Sequence, residues 1–345
     1  MKGEKIRFAI VGLGHIGKRH AGILSVIPEA ELVALIDVLP IPEADQARYQ
    51  VPCFSSLDSF FQSGLEADVI SVTVPNGLHA EIACRCLDAG FHVVVEKPLA
   101  ISSGDAEGIL ACARRNQRNV FAVMQNRYSS PSRWLKQLID EEKLGQIYTV
   151  QVNCYWNRDE RYYTPGSWHG SMELDGGVLF TQFSHFIDML YWLMGDIHNI
   201  DARFVAHRNH HLTDFEDGGF VRFDFGNGAI GLFNFSTAVW GRNMESSLTI
   251  IAEDGSVKIG GQYMESVEFC HIRNYLMPEE LRSHPAGTSD NHRHFFENVI
   301  DVLKGRSIAT VLPEDGVRVV NIIERIYASA VRPSRRSASD PSNTQ

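Results

Sequence analysis

Two side chains in this sequence could remove a proton from an alcohol: one follows a predicted strand and the other lies in a predicted helix. Lys97 follows the apolar run His92–Val95 and directly precedes Pro98, which restricts its backbone. A lysine buried at the end of a strand has a lowered pKa and can accept a proton. His185 offers an imidazole that titrates near neutral pH. We therefore expect acid–base chemistry here, although a solvated lysine in a turn would give the same pattern for Lys97.

His185 lies in a predicted helix that runs from about Gly177 to Leu193. Thr181, His185 and Asp188 are spaced by four and three residues, which places them on one helix face. Asp188 could orient His185, but a histidine and an aspartate paired in the core would look the same. Glycines precede this helix, and such a segment allows the backbone to approach a ligand closely.

The N-terminal stretch IRFAIVGLGHIG begins with an apolar run typical of a strand buried on both faces. It ends in the G-x-G-x-x-G pattern. Gly12 permits a sharp turn out of the strand, Gly14 allows a pyrophosphate to approach the main chain, and Gly17 allows the next helix to pack closely. The pattern alone is weak evidence, but a helix and a second strand, Glu31–Ile36, follow it.

Asp37 ends that second strand, about 20 residues beyond the last glycine, where a carboxylate accepts hydrogen bonds from an adenosine ribose. A carboxylate at this position would repel a 2′-phosphate. We therefore predict a dinucleotide site that prefers NAD, with NADP less favoured.

Strands and helices alternate through the first part of the chain, which predicts a doubly wound parallel sheet of the Rossmann type. Ligands of such sheets bind beyond the carboxyl ends of the strands. Three strand ends supply polar residues there: Pro75–Asn76 with His79, Glu96–Lys97, and Gln125–Arg127.

After Arg127 the pattern changes to long strands joined by hairpin turns, which predicts an α+β domain with a large, mostly antiparallel, open-faced sheet. We predict a dinucleotide-binding domain at 1–127, a substrate-binding and oligomerisation domain at 128–331, and a disordered polar tail at 332–345. Five phenylalanines on these strands are expected either in a subunit interface or against the helices: Phe220, Phe223, Phe225, Phe233 and Phe235.

The bulk composition excludes several classes of protein. The net charge of −10 argues against nucleic acid or an anionic membrane as the main partner. No apolar run approaches the ~20 residues that span a bilayer, and no signal peptide is evident. The six cysteines lack paired C-x-x-C spacing, so we expect reduced thiols, no metal site and a cytoplasmic protein.

Four segments together resemble the Gfo/Idh/MocA oxidoreductases: GLGHIGKRH, VPNGLH, EKPLA and GGVLFTQFSHFIDMLYWLMG. The resemblance covers nearly the whole chain. It implies NAD(P), oxidation of a secondary alcohol of a sugar or polyol, a cis bond before Pro98, and dimers or tetramers formed through the sheet. It also implies Lys97 and His185 as catalytic residues. The implied cofactor-binding residues are Gly12, Gly14, His15, Ile16, Gly17, Asp37, Pro75, Asn76, His79, Glu96, Lys97 and Trp168.

The chain departs from inositol-dehydrogenase-like members at one position. These carry an aspartate four residues before the histidine, where this chain has Thr181, followed by Gln182. With RYYTPGSWHGSMELDGG upstream, this resembles the branch that oxidises UDP-N-acetylglucosaminuronate at C3, in which Trp168 would lie near the nicotinamide. The expected substrate-contacting residues are Arg127, Thr181, Gln182 and Asp188.

Two other functions remain open at this stage. A glycosidase of the same fold would keep NAD bound, use transient oxidation and release a free sugar. An NAD-bound sensor or regulatory protein would have lost turnover, although Lys97 and His185 argue against that.

Overall fold

The structure is a computed structural model that describes residues 4–281 and 289–331. The predicted polar tail, 332–345, lies outside the described residues. Within them, two sheets with their helices form the molecule.

The N-terminal sheet has six parallel strands in the order β3-β2-β1-β4-β5-β6. The strands are β1 (Ile6–Val11), β2 (Ala30–Ile36), β3 (Cys53–Phe54), β4 (Val69–Val72), β5 (His92–Val95) and β6 (Val120–Ala122). The helices are α1 (His15–Leu24), α2 (Glu43–Tyr49), α3 (Leu57–Gln62), α4 (His79–Asp88) and α5 (Ser103–Asn116). Because the strand order reverses between β1 and β4, the crevice at their carboxyl ends is the expected ligand position.

Serine side chains cap two of the helices in this half. Ser56 and Ser102 cap α3 and α5 through their side chains. Helix α4 begins after a single 3₁₀ turn at Asn76–Leu78. Helix α2 was not predicted. It buries no residue, so its sequence lacks the apolar periodicity that predicts a helix.

The second sheet has eight strands in the order β13-β12-β11-β7-β10-β9-β8-β14. The strands are β7 (Ile147–Tyr155), β8 (Ile197–Val205), β9 (Gly218–Phe225), β10 (Ile230–Ser236), β11 (Glu245–Ala252), β12 (Gly255–Gly260), β13 (Ser266–Ile272) and β14 (Ala330–Val331). The helices are α6 (Ser130–Asp140), α7 (Val178–Thr181), α8 (Ser184–Met194), α9 (Ser289–Leu303) and α10 (Pro313–Ser329). The pairs β7–β10 and β8–β14 are parallel and the others are antiparallel, as expected for a mostly antiparallel sheet.

The helix predicted from Gly177 to Leu193 is divided into α7 and α8. Gln182 and Phe183 separate the two. Phe183 packs against Phe233 and Phe235 of the sheet, with ring centroids 6.2 and 5.9 Å apart. Because α7 ends at Thr181, the Thr181 carbonyl is available to accept a hydrogen bond from a side chain outside the helix.

The expectation that the phenylalanine-rich strands face a subunit interface is wrong for four of the five residues. Phe223, Phe225, Phe233 and Phe235 are buried within the chain, which is the alternative of packing against helices. Phe220 points to the other face and is 46% exposed. That open face also carries the exposed side chains of Ile230, Ile251 and Phe269.

In the described part of the chain, we find no helix with the length and apolar character that crossing a bilayer requires.

Candidate active site

The glycine-rich loop joins β1 to α1 at the point where the strand order reverses. Gly12 has a φ of +89°, and a Cβ there would lie 2.7 Å from the Thr73 carbonyl oxygen. A Cβ on Gly17 would collide with the Gly12 carbonyl, whereas a Cβ on Gly14 would meet nothing within 4 Å. Gly12 and Gly17 therefore serve chain packing. Gly14 leaves open space at the start of α1, where unpaired N–H groups suit an anion.

Asp37 lies beside this loop. Its Oδ2 accepts a hydrogen bond from the Leu13 N–H at 2.5 Å, and its Oδ1 accepts one from the Leu39 N–H at 2.8 Å. His15 is exposed and Ile16 is half-buried on the first turn of α1. The open cradle at Gly14 and the carboxylate beside it fit the pyrophosphate and ribose of a dinucleotide.

Gly14→Val should weaken NAD binding about 10-fold or more, because the new side chain fills the space that the pyrophosphate needs. The fold should be unaffected, since the φ of −71° at Gly14 suits valine and the site is open. Fluorescence titration with NAD and thermal denaturation measure the two effects. Gly104→Val, at another open position, is the control; unchanged NAD affinity in Gly14→Val would contradict this assignment.

Lys97 is held at both ends. Its ammonium donates a hydrogen bond of 2.7 Å to the Thr181 carbonyl, and its backbone N–H donates one of 3.0 Å to Glu96 Oε2. The peptide to Pro98 is cis, as the resemblance implies. Burial lowers the pKa of Lys97, and the negative charge of Glu96 only partly opposes this. Lys97 therefore yields a neutral amine more easily than an exposed lysine does.

His79 contacts the backbone at Pro98. Its ring nitrogens lie 2.7 Å from the Pro98 carbonyl oxygen and 2.9 Å from that of Val74. A neutral imidazole carries one N–H, so it donates to one of these carbonyls and packs against the other. His79 thus lies between the two loops that follow β4 and β5.

A buried hydrogen-bond network holds the Glu96 carboxylate in place. His20 bridges Ser71 Oγ at 2.8 Å and Glu96 Oε1 at 3.0 Å. Burial alone would raise the pKa of Glu96, but the His20 hydrogen bond and nearby cations lower it to about 2. The ligand atoms of His20, Glu96 and His292 lie within 4.8 Å of one another, so among the described residues this group could hold a metal ion. Both nitrogens of His20 already have partners, and we interpret the group as a hydrogen-bond network.

Asn76 connects the end of β4 to α7. Its amide donates hydrogen bonds of 2.7 Å to Thr181 Oγ1 and 2.9 Å to the Asp175 carbonyl. The Thr181 hydroxyl donates in turn to the Asp175 carboxylate. Asp175 is buried, and its charge acts on Lys97. Asp175 is not among the predicted site residues, although its position directly before Gly176 was a usable signal.

His185 lies in the core of the site without a hydrogen-bond partner for either ring nitrogen among the described residues. Burial and the charge of Lys97 hold the pKa of His185 well below its ordinary value. The imidazole is therefore neutral, and a ligand hydroxyl would supply the partner that it lacks.

The suggested pairing of Asp188 with His185 is wrong. Asp188 instead receives three hydrogen bonds from the Arg127 guanidinium, the shortest of 2.6 Å. Arg127 also pairs with Asp315 at 2.8 Å. Arg127 and Asp188 are 1% and 0% exposed, so this pair links the turn after β6 to α8 and leaves Arg127 closed to a substrate carboxylate.

A row of stacked side chains forms one wall of the site. The ring of Trp168 lies 3.8 Å from that of His169, and His169 stacks on Tyr162 at 4.2 Å. The guanidinium of Arg158 then lies between the rings of Tyr162 and Trp156, and Trp156 approaches His185 at 5.9 Å. Gln182 joins the row by hydrogen bonds to Arg158 and Tyr162. Trp168 and Gln182 thus share a wall with His185.

The fold and the loop define an oxidoreductase with a Rossmann nucleotide-binding domain and a separate α/β domain. Residues 6–124 match the NAD-binding Rossmann fold of the GFO_IDH_MocA oxidoreductase family, and residues 136–334 match its C-terminal alpha/beta domain. The chain belongs to this family, and its cofactor is NAD.

Several proteins are similar over most of their length. The WlbA dehydrogenase from Chromobacterium violaceum, solved with NADH and UDP-GlcNAcA, is 31% identical with a TM-score of 0.86, over 95% of this chain and 94% of that one. The Bordetella pertussis WlbA dehydrogenase, with the same ligands, is 30% identical with a TM-score of 0.87, over 95% and 96%. The 2,7-anhydro-N-acetylneuraminate hydratase of Escherichia coli is 25% identical over 74% of this chain and 71% of its own.

Proposed function

We propose that this protein is an NAD-dependent dehydrogenase that oxidises a secondary hydroxyl of a sugar, most specifically C3 of a UDP-linked sugar acid. The observation that carries the proposal is the pair formed by Lys97 and His185. Lys97 is a buried amine with a lowered pKa, and His185 is a buried imidazole with two unpaired nitrogens. The likeness to two dehydrogenases solved with UDP-GlcNAcA supports the choice of substrate.

In the proposed reaction, the substrate hydroxyl lies between Lys97 and His185 and gives its proton to the Lys97 amine or to the imidazole. NAD, when bound, supplies the hydride acceptor. The Thr181 carbonyl and the Glu96 carboxylate hold both ends of Lys97, so the amine is positioned before the substrate arrives. Trp168 is proposed to lie against the nicotinamide, and Thr181 and Gln182 to contact the substrate. The open face of the second sheet is proposed to assemble two or four subunits.

An absorbance spectrum of the purified protein with added sugars and UDP-sugars tests this proposal. We expect the reduced-nicotinamide band to grow with UDP-GlcNAcA and to remain small with UDP-GlcNAc. Release of a free sugar or a rearranged product without net reduction would favour a redox-neutral enzyme. Bound NAD that never changes with any compound would favour a sensor, and either outcome would contradict a dehydrogenase.

A further inference from the structure

Arg158 is fixed in the wall of the site by contacts on most of its edges. Its Nε donates a hydrogen bond of 2.8 Å to Gln182 Oε1. Its Nη1 donates to the Asn157 carbonyl at 2.6 Å and to Asn243 Oδ1 at 3.3 Å. Among the described residues, Nη2 donates to none. The side chain is therefore held rigidly, with one terminal amino group left over.

This half-buried cation lacks a counter-ion in the described part of the chain. Two other arginines show the usual arrangement: Arg127 pairs with Asp188, and Arg161 pairs with Asp159 at 2.7 Å. Those carboxylates raise the pKa of each arginine, whereas burial lowers the pKa of Arg158. A desolvated guanidinium without an anion is costly unless a ligand supplies the charge.

The unpaired cation lies close to the two proposed proton-accepting residues. Gln182, which holds Arg158, directly follows Thr181, whose carbonyl accepts the hydrogen bond from Lys97. The Trp156 ring touches both the Arg158 guanidinium and the His185 ring. Burial lowers the pKa of Lys97 and His185, and the charge of Arg158 lowers each of them further. An anion bound at Arg158 would thus lie near the side chains of Lys97 and His185.

We infer that Arg158 binds the carboxylate of an acidic sugar through Nη2 and so selects sugar acids over neutral sugars. This inference rests on the proposed function and names the group that gives it specificity. A guanidinium suits a carboxylate in geometry and charge. Its stacking between Trp156 and Tyr162 keeps the arginine extended and reduces the entropy lost on binding.

UDP-GlcNAcA and UDP-GlcNAc form the test pair, because they share the diphosphate and differ in the carboxylate. Arg158→Gln should lower kcat/KM for UDP-GlcNAcA by roughly 30-fold, chiefly through KM, with little change for UDP-GlcNAc. Arg158→Lys should recover part of the preference. Arg161→Gln, at an exposed arginine with its own carboxylate partner, is the matched control and should behave as the wild type.

Equal loss with both nucleotides would overturn the inference, since it would indicate a contact to the diphosphate or a purely structural role. Unchanged preference in Arg158→Gln would also overturn it. Binding of the same nucleotides, followed by tryptophan fluorescence, separates this inference from the proposed function. If no nucleotide is turned over but tighter binding of the acid still requires Arg158, the proposed function fails and the inference stands.

Discussion

Lys97→Met should lower turnover by about a thousand-fold while NAD affinity stays within a few-fold of wild type. The substitution keeps an unbranched side chain but removes the amine that accepts the hydroxyl proton, and a positioned proton acceptor contributes ~10²–10⁴-fold. The cradle at Gly14 and the Asp37 carboxylate belong to other strand ends, so the cofactor site should persist. Steady-state NADH formation and fluorescence titration with NAD measure the two quantities.

Lys136→Met is the matched control, because Lys136 is a partly exposed residue that pairs with Asp140 on the same helix. It should leave both quantities unchanged. If Lys97→Met kept more than about a tenth of the activity, the proton acceptor would have to be His185.

The dependence of the oxidation rate on pH is a second test of Lys97 as the proton acceptor. The neutral amine is the active form of Lys97, and burial lowers its pKa, so the oxidation rate should rise with pH and level off below the ordinary lysine pKa of about 10.4. The Glu96 charge opposes this shift, and the Arg158 charge adds to it. In Lys97→Met this rising limb should disappear from kcat/KM.

The parts of the site that the sequence predicted are those that depend on local backbone. The turn at Gly12 and the start of α1 follow from a short segment whose geometry few residues can adopt, whereas the cis bond before Pro98 was expected from the family resemblance alone. Asp37 follows from the regular length of a strand–helix–strand unit. Local chemistry and fixed spacing therefore predict the glycine-rich turn and the position of Asp37 beside it.

The proposed substrate-binding part of the site depends on contacts between residues far apart in the sequence, and the predicted partner of Asp188 was wrong. Spacing along one helix suggested Asp188 as the partner of His185, but Arg127, 61 positions away, takes Asp188. Helical spacing tells which residues share a face and says nothing about what covers it. Likewise, alternation grouped the phenylalanines of β9 and β10 without telling whether helices or a second subunit cover them.

Arg127→Met should destabilise the protein by about 3–5 kcal/mol, the usual cost of removing one partner of a buried ion pair. Asp188 would remain fully buried without a counter-ion, and Asp315 would lose its contact as well. The free energy of unfolding should fall, because the guanidinium makes four hydrogen bonds to the two carboxylates and the substitution removes all of them. Thermal and urea denaturation measure the loss.

Arg85→Met is the matched control, since the side chains of Arg85 and its partner Asp58 are 39% and 67% exposed and such pairs contribute at most about 1 kcal/mol. Adding Asp188→Asn to Arg127→Met removes the stranded charge, so the double variant should recover part of the lost stability. A substrate-binding role for Arg127 predicts the opposite result: wild-type stability, a raised KM, and no rescue by the second change. The unfolding midpoints of the three variants therefore decide whether Arg127 is a structural partner of Asp188 or a substrate-binding residue.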